Sequence, residues 1–161
     1  MDFSDTPKQA EFRSQAATWL SENVPKERDF FQLTPLKQAK LWQKHKYDSG
    51  WACLGWAPEY EGRGASAVEK VIWRQEAQYS ILQNFFVIGH GMIAPTLMTW
   101  VSEKDKARYL PLLASGEEVW CHLFSAPAGG SELAALRTRA EFDGDEWILN
   151  GQESVSQMRI I

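Results

Sequence analysis

The sequence predicts a mainly α protein, an all-α helical domain followed by the first strands of a β-domain. Three observations carry this. Capping signals open successive helical periods as far as Gly116. Beyond Gly116 the apolar period changes from helical to alternating. An acidic turn, Asp143-Gly144-Asp145-Glu146, then separates two strand-like runs as in a hairpin.

Thr6-Pro7-Lys8-Gln9 starts the first helix. Thr6 can cap, Pro7 suits the first helical position, and Gln9 sits where a capping-box partner belongs. Phe12, Ala16, Trp19 and Leu20 recur at helical spacing. Pro25 disfavours helical geometry at Val24, so the helix ends near Asn23. Thr34-Pro35 starts a second helix with Leu36, Ala39 and Trp42 on one face, and Gly50 stops it. Residues 50–64 are irregular but carry Trp51, Leu54, Trp56 and Tyr60, which marks an ordered loop packed on a core. Ser66-Ala67-Val68-Glu69 is a capping box for a third helix. A fourth helix lies within residues 82–101. Ser102 opens a fifth, with Glu103 and Asp105 in the first turn, where the helix dipole favours them. Its buried stripe is Ala107, Leu110 and Leu113 or Ala114. Residues 119–124 then read as a strand. Residues 137–142 alternate as a half-buried strand, and residues 147–149 return.

Composition narrows the function. The 161 residues are 44% hydrophobic and 12% aromatic, which is globular. Eight tryptophans supply a large core. A net charge of −4 argues against a nucleic-acid-binding face, which needs clustered Lys and Arg. Cys53 and Cys121 lie far apart without metal-type spacing, so buried reduced thiols are expected, and no ligand cluster points to a metal. Residues 84–101 are mostly apolar. They also hold His90, Pro95 and two glycines, which fits a buried helix better than a membrane span. The polar start Met1-Asp2-Phe3-Ser4-Asp5 fits neither a secretory signal nor a transit peptide. The expected location is therefore the cytoplasm, bacterial in type rather than mitochondrial.

One segment can aim backbone N–H groups and small hydroxyls at an anionic or polar ligand: Phe124-Ser125-Ala126-Pro127-Ala128-Gly129-Gly130-Ser131-Glu132. It stands in a fixed order of landmarks. Before it come Leu54-Gly55-Trp56-Ala57-Pro58-Glu59-Tyr60-Glu61-Gly62-Arg63-Gly64, Gly91-Met92-Ile93-Ala94-Pro95-Thr96-Leu97 and Lys106-Ala107-Arg108-Tyr109-Leu110-Pro111-Leu112-Leu113-Ala114-Ser115-Gly116-Glu117. After it comes Asp145-Glu146-Trp147-Ile148-Leu149-Asn150-Gly151-Gln152. In this order the chain resembles the acyl-CoA dehydrogenase family over residues 5–152. No single piece is decisive; the shared order and spacing are.

The resemblance implies an N-terminal helical domain, a barrel-like middle β-domain, and a C-terminal four-helix domain that drives oligomer formation. On this pattern residues 1–117 are the helical domain, 118–152 the start of the β-domain and 153–161 a divergent tail. The implied activity is FAD-dependent α,β-dehydrogenation of an acyl-CoA thioester. A carboxylate removes the α-proton, the β-hydride goes to flavin N5, and an electron-transfer flavoprotein takes the electrons. The family's flavin-contacting segment maps onto His122, Phe124, Ser125, Gly130 and Ser131, with Ser131 also placed for the CoA substrate. No catalytic residue is carried over. Glu59, Glu61, Glu76, Glu117 and Glu118 read as surface or capping charges, and His90 as a satisfied core histidine.

The departures from the family pattern are local. Ala126 replaces a glutamate, Ala128 a glycine and Glu132 an aspartate. After Gln152 the family's Trp-x-Thr or Trp-x-Ser element is missing. A frameshift, a truncated gene or a genuine short variant would each give such a tail. The expectation is a piece lacking the catalytic base, inactive alone, as a homo-oligomer or associated with a full-length relative. The alternative is a non-catalytic helical protein that docks on such a relative.

Overall fold

Four hydroxyl caps open the four longest helices of the computed structural model, which describes residues 4–26, 32–79, 84–125, 127, 134 and 137–155. Helices α1 (Pro7–Asn23), α2 (Pro35–Asp48), α3 (Ala67–Glu76) and α5 (Glu103–Ser115) begin after Thr6, Thr34, Ser66 and Ser102. Each cap accepts from the backbone N–H three residues on, a bond worth about 1 kcal/mol. At Thr6 and Ser66 the capping box is complete: Gln9 and Glu69 reach back to the cap N–H.

The end of α2 fixes the loop after it. Gly50 is left-handed at φ 69°. Its N–H donates to the Tyr47 carbonyl at 3.0 Å, and the Trp51 N–H to the Lys46 carbonyl at 2.7 Å. This pair of bonds is a Schellman motif. It turns Trp51 inward, where only 6% of it is exposed. The loop then folds back on itself through a 3-10 turn at Pro58–Tyr60. The Gly64 N–H donates to the Trp56 carbonyl and the Ala65 N–H to the Leu54 carbonyl. Gly62 is required by close approach, because a Cβ there would lie 2.1 Å from the Trp56 oxygen.

The fourth helix differs from the sequence expectation. Residues Gly89–Ile93 form a π-helical turn, followed by the short α4 (Ala94–Trp100). The Ala94 N–H reaches five residues back, to the Gly89 carbonyl. Pro95 accounts for this: it has no N–H, and its ring crowds the carbonyl four residues back in an ordinary helix. The wider turn removes that clash.

Tryptophans fill the centre of this helical unit, which the chain contacts bound at Val119. Trp51 stacks on Trp73 of α3 with centroids 4.9 Å apart and on Trp19 of α1 at 5.8 Å. Trp19 also stacks on Trp42 of α2 at 5.4 Å, and the Arg63 guanidinium lies 3.9 Å over Trp51. Buried Gln43 ties α2 to α5, its Nε2 donating to the Ala114 carbonyl at 2.8 Å. Arg13 joins α1 to α3 through Glu76 at 2.7 Å. No helix among the described residues is long and apolar enough to cross a membrane.

The second unit begins at Trp120 and holds two short antiparallel pairs. Strand β1 (Leu123–Ser125) pairs with β4 (Ser154–Val155), and β2 (Arg139–Phe142) with β3 (Trp147–Asn150). β1 is shorter than the sequence run of 119–124, because only Leu123 and Ser125 meet partners on β4. The hairpin register is regular from Arg139 opposite Asn150 to Phe142 opposite Trp147. Its expected half-burial is corrected. Every residue of β2 and β3 is exposed, Trp147 by 65% and Leu149 by 72%, so no described layer covers either face.

Two glycine replacements test the packing. Gly62→Ala should lower the urea-unfolding free energy by about 2 kcal/mol or more, because backbone must move. Gly91→Ala, where a Cβ meets nothing within 4 Å, should be neutral or slightly stabilising.

Candidate functional site

The segment from His122 to Ser131 is the site expected from the sequence, and β1 is its described part. Leu123 lies opposite Val155 and Ser125 opposite Ser154, so two steps along β1 match one step along β4. Phe124 is the extra residue of a β-bulge, a device that bends a strand and re-aims its groups. His122, just before the strand, is half-buried, with its Nδ1 shielded from solvent. Gly130 and Ser131 lie outside the described residues, as do the side chains of Phe124 and Ser125.

The helical unit holds a pocket of about 410 Å³ that the sequence did not announce. Four segments build it. α2 supplies Gln43 and Lys46, the loop supplies residues 51–56, α3 supplies Lys70, Trp73 and Arg74, and the π-helical region supplies Phe86 and His90.

His90 is fixed from three sides. Its Nε2 donates to the Leu113 carbonyl at 2.7 Å, its ring stacks on Phe86 at 5.4 Å, and Trp56 meets it edge-on at 5.6 Å. The Trp56 indole N–H also donates to the His90 carbonyl at 3.1 Å. Because a carbonyl can only accept, Nε2 carries the proton, and Nδ1 is an acceptor in the neutral ring. Burial pushes the imidazole down to about 4, against the Leu113 bond and with help from the Lys46 charge. His90 is thus a satisfied interior histidine that also lines a pocket.

Cys53 is held at φ 40°, and burial raises its thiol to about 12, so it is neither thiolate nor nucleophile at neutral pH. Burial lowers the Lys46 ammonium to about 8. No cluster of His, Cys, Asp or Glu among the described residues can hold a metal.

Two of the carboxylates singled out in the sequence are engaged elsewhere. Glu76 pairs with Arg13, and Glu61 accepts from the Tyr47 hydroxyl. Glu59 and Glu117 are exposed.

Sequence reasoning missed Lys46, Lys70 and Arg74, because no motif joins α2 to α3. A signal was present: none of the three has an Asp or Glu three or four residues away. A solvated helix face commonly supplies such a partner, as Asp48 does for Lys44.

Comparison with known proteins agrees with the fold. The family model described as "Acyl-CoA dehydrogenase, N-terminal domain" matches residues 6–117. The chain is 33% identical over 154 residues to acyl-CoA dehydrogenase IpdE1 of Mycobacterium tuberculosis, covering 89% of this chain and 40% of that protein. It superposes on the crystal structure of the ChsE4-ChsE5 complex from Mycobacterium tuberculosis with TM-score 0.75 at 32% identity, covering 95% of this chain and 40% of that one. An acyl-CoA dehydrogenase complexed with FAD from Bacillus anthracis shares the fold, with TM-score 0.65 at 20% identity, covering 93% of this chain and 26% of that one. The chain thus spans about 40% of the length of its first two relatives.

The His90 environment sets a pH dependence. Its native pKa is below the ordinary value of 6.5, so the unfolded chain binds the proton first as pH falls. Stability is lost between about pH 6.5 and 4, with a slope approaching about 1.4 kcal/mol per pH unit. In His90→Gln, followed by chemical denaturation across that range, the acid slope should be shallower by that amount.

Proposed function

The chain belongs to the acyl-CoA dehydrogenase family, and on that premise we propose that it forms one wall of an FAD-dependent site for α,β-dehydrogenation of an acyl-CoA thioester. The observation that carries this reading is the match of residues 6–117 to the family's helical domain, continued at the expected place by a bulged β1.

FAD, when bound, supplies the acceptor for the hydride that leaves the substrate β-carbon. The chain's own part is to bind and orient. The bulge at Phe124 takes one residue of β1 out of the regular ladder beside His122, which suits a strand that must turn backbone groups toward a ligand. Ser125 adds a small hydroxyl, and Gly130 and Ser131 allow close backbone approach to a pyrophosphate or to CoA. Residues 1–117 act as the helical domain, 118–152 as the start of the β-domain, and 153–161 as a tail.

No carboxylate of this chain is assigned to α-proton removal. The family resemblance implies that this base, and most of the grip on FAD, lie in the part of the relatives that these 161 residues do not span. The chain alone is therefore expected to lack turnover. An electron-transfer flavoprotein as acceptor, a homo-oligomer or association with a full-length relative, and a bacterial cytoplasmic setting complete the reading. A non-catalytic docking role is not favoured by a match to an enzyme domain.

The test is a chimera that continues this chain after Gln152 with the corresponding part of its 33%-identical relative. It should bind FAD and reduce an artificial electron acceptor with an acyl-CoA, whereas the 161-residue chain should lose FAD on gel filtration. A folded chimera that binds no flavin, or a chain alone that keeps one FAD, would overturn the proposal.

A further inference from the structure

The pocket of the helical unit has a charge pattern that its fold does not require. Lys46, Lys70 and Arg74 line it, and no Asp or Glu among the described residues does. This holds in a chain with 21 acidic residues against 17 Lys and Arg. None of the three cations makes an ion pair with a described residue. Lys46 lies on α2 beside buried Trp42 and Gln43, its Nζ 5.8 Å from the Trp42 ring. Its neighbour Lys44 pairs with Asp48 instead. Gly55 makes room for Lys70, since a Cβ there would come within 3.0 Å of the Lys70 Cδ.

The remaining lining is mixed: Trp73, Trp51, Trp56 and Phe86 stand beside polar Gln43 and Asn84 and small loop residues, with Trp51 and Trp73 stacked. Gathering cations without counter-charge is unfavourable, and an anion seated among them relieves it. The volume falls in the range of small-molecule sites.

We propose that this pocket binds an organic carboxylate with a flat or alicyclic apolar body, the carboxylate meeting Lys46, Lys70 and Arg74 and the body lying against the partly exposed Trp73. The pocket lies wholly within the helical unit, so the inference goes beyond the dehydrogenase reading and does not rest on it. The carboxylate has two possible sources, a free acid or the far end of an acyl-CoA.

The probe is 2-naphthoate, titrated calorimetrically into the full chain, with neutral 2-naphthylmethanol as the matched control. Naphthoate should bind about tenfold more tightly than the alcohol. Arg74→Gln and Lys70→Gln sit on exposed positions that leave the fold intact, and each should weaken naphthoate binding about fivefold or more. Lys44→Met, outside the pocket, should not. The titratable groups lining the pocket are Lys46, Cys53, Lys70, Arg74 and His90. Lys46 loses its proton near 8, so affinity should fall between about pH 7 and pH 9.

Equal binding of acid and alcohol, no saturable binding, or unchanged affinity in both glutamine variants would overturn the proposal. Competition names the source. Displacement by adipoyl-CoA but not hexanoyl-CoA assigns the pocket to an acyl tail, and displacement by neither assigns it to a free carboxylate.

Discussion

The stack of Trp51 on Trp73 is the contact on which the helical unit depends. Trp51 is where the end of α2, the returning loop, α1 and α3 meet. Its backbone completes the Schellman cap of α2, and its ring lies between Trp19, Trp73, Phe12 and Arg63. An aromatic pair adds about 0.5–1.5 kcal/mol beyond its burial, and truncating a core tryptophan costs about 3–5 kcal/mol. Against a total stability of about 5–15 kcal/mol, no single surface ion pair among the described residues compares. The Arg13 bridge to Asp5 and Glu76 orients α1 and α3, and the tryptophans hold them.

The same constraint creates the pocket. A loop anchored by Trp51 and Trp56 cannot fill the space between α2 and α3 with aliphatic side chains. Lys46 and Arg74 reach that space because their helices are rotated to bury Trp42 and Ile72. The π-helical turn before Pro95 belongs to the same wall. It sets His90 against Phe86 and Trp56, and the Leu113 carbonyl then fixes the tautomer. An interior histidine held neutral, a protonated cysteine and a lysine without an ion pair among the described residues are a binding environment; none of them is poised for nucleophilic or base chemistry.

Local chemistry was legible in the sequence, and long-range placement was not. Thr6, Thr34, Ser66 and Ser102 could be read as caps because a cap acts over three residues. Gly50 and Gly116 could be read as stops for the same reason. The π-helical turn was hidden, since a proline early in a helix normally signals a start. The hairpin itself followed from its turn and alternation, yet its exposure did not, because alternation says which residues share a face and nothing of what covers it. At the candidate site, a strand was legible at residues 119–124, but neither its observed bounds of Leu123–Ser125 nor the bulge at Phe124 was, because both depend on the partner Ser154–Val155. Lys46 left only a negative trace, the lack of an acid one helical turn away.

Hydrogen exchange on the intact 161-residue chain tests most directly whether the tryptophan core stands by itself. Amides of α1, α2, α3 and α5, and the Ala65 amide that donates to Leu54, should be strongly protected as one cooperative unit. The exposed β2–β3 hairpin should exchange orders of magnitude faster. Helical amides that exchange as fast as the hairpin would contradict a core organised by Trp51.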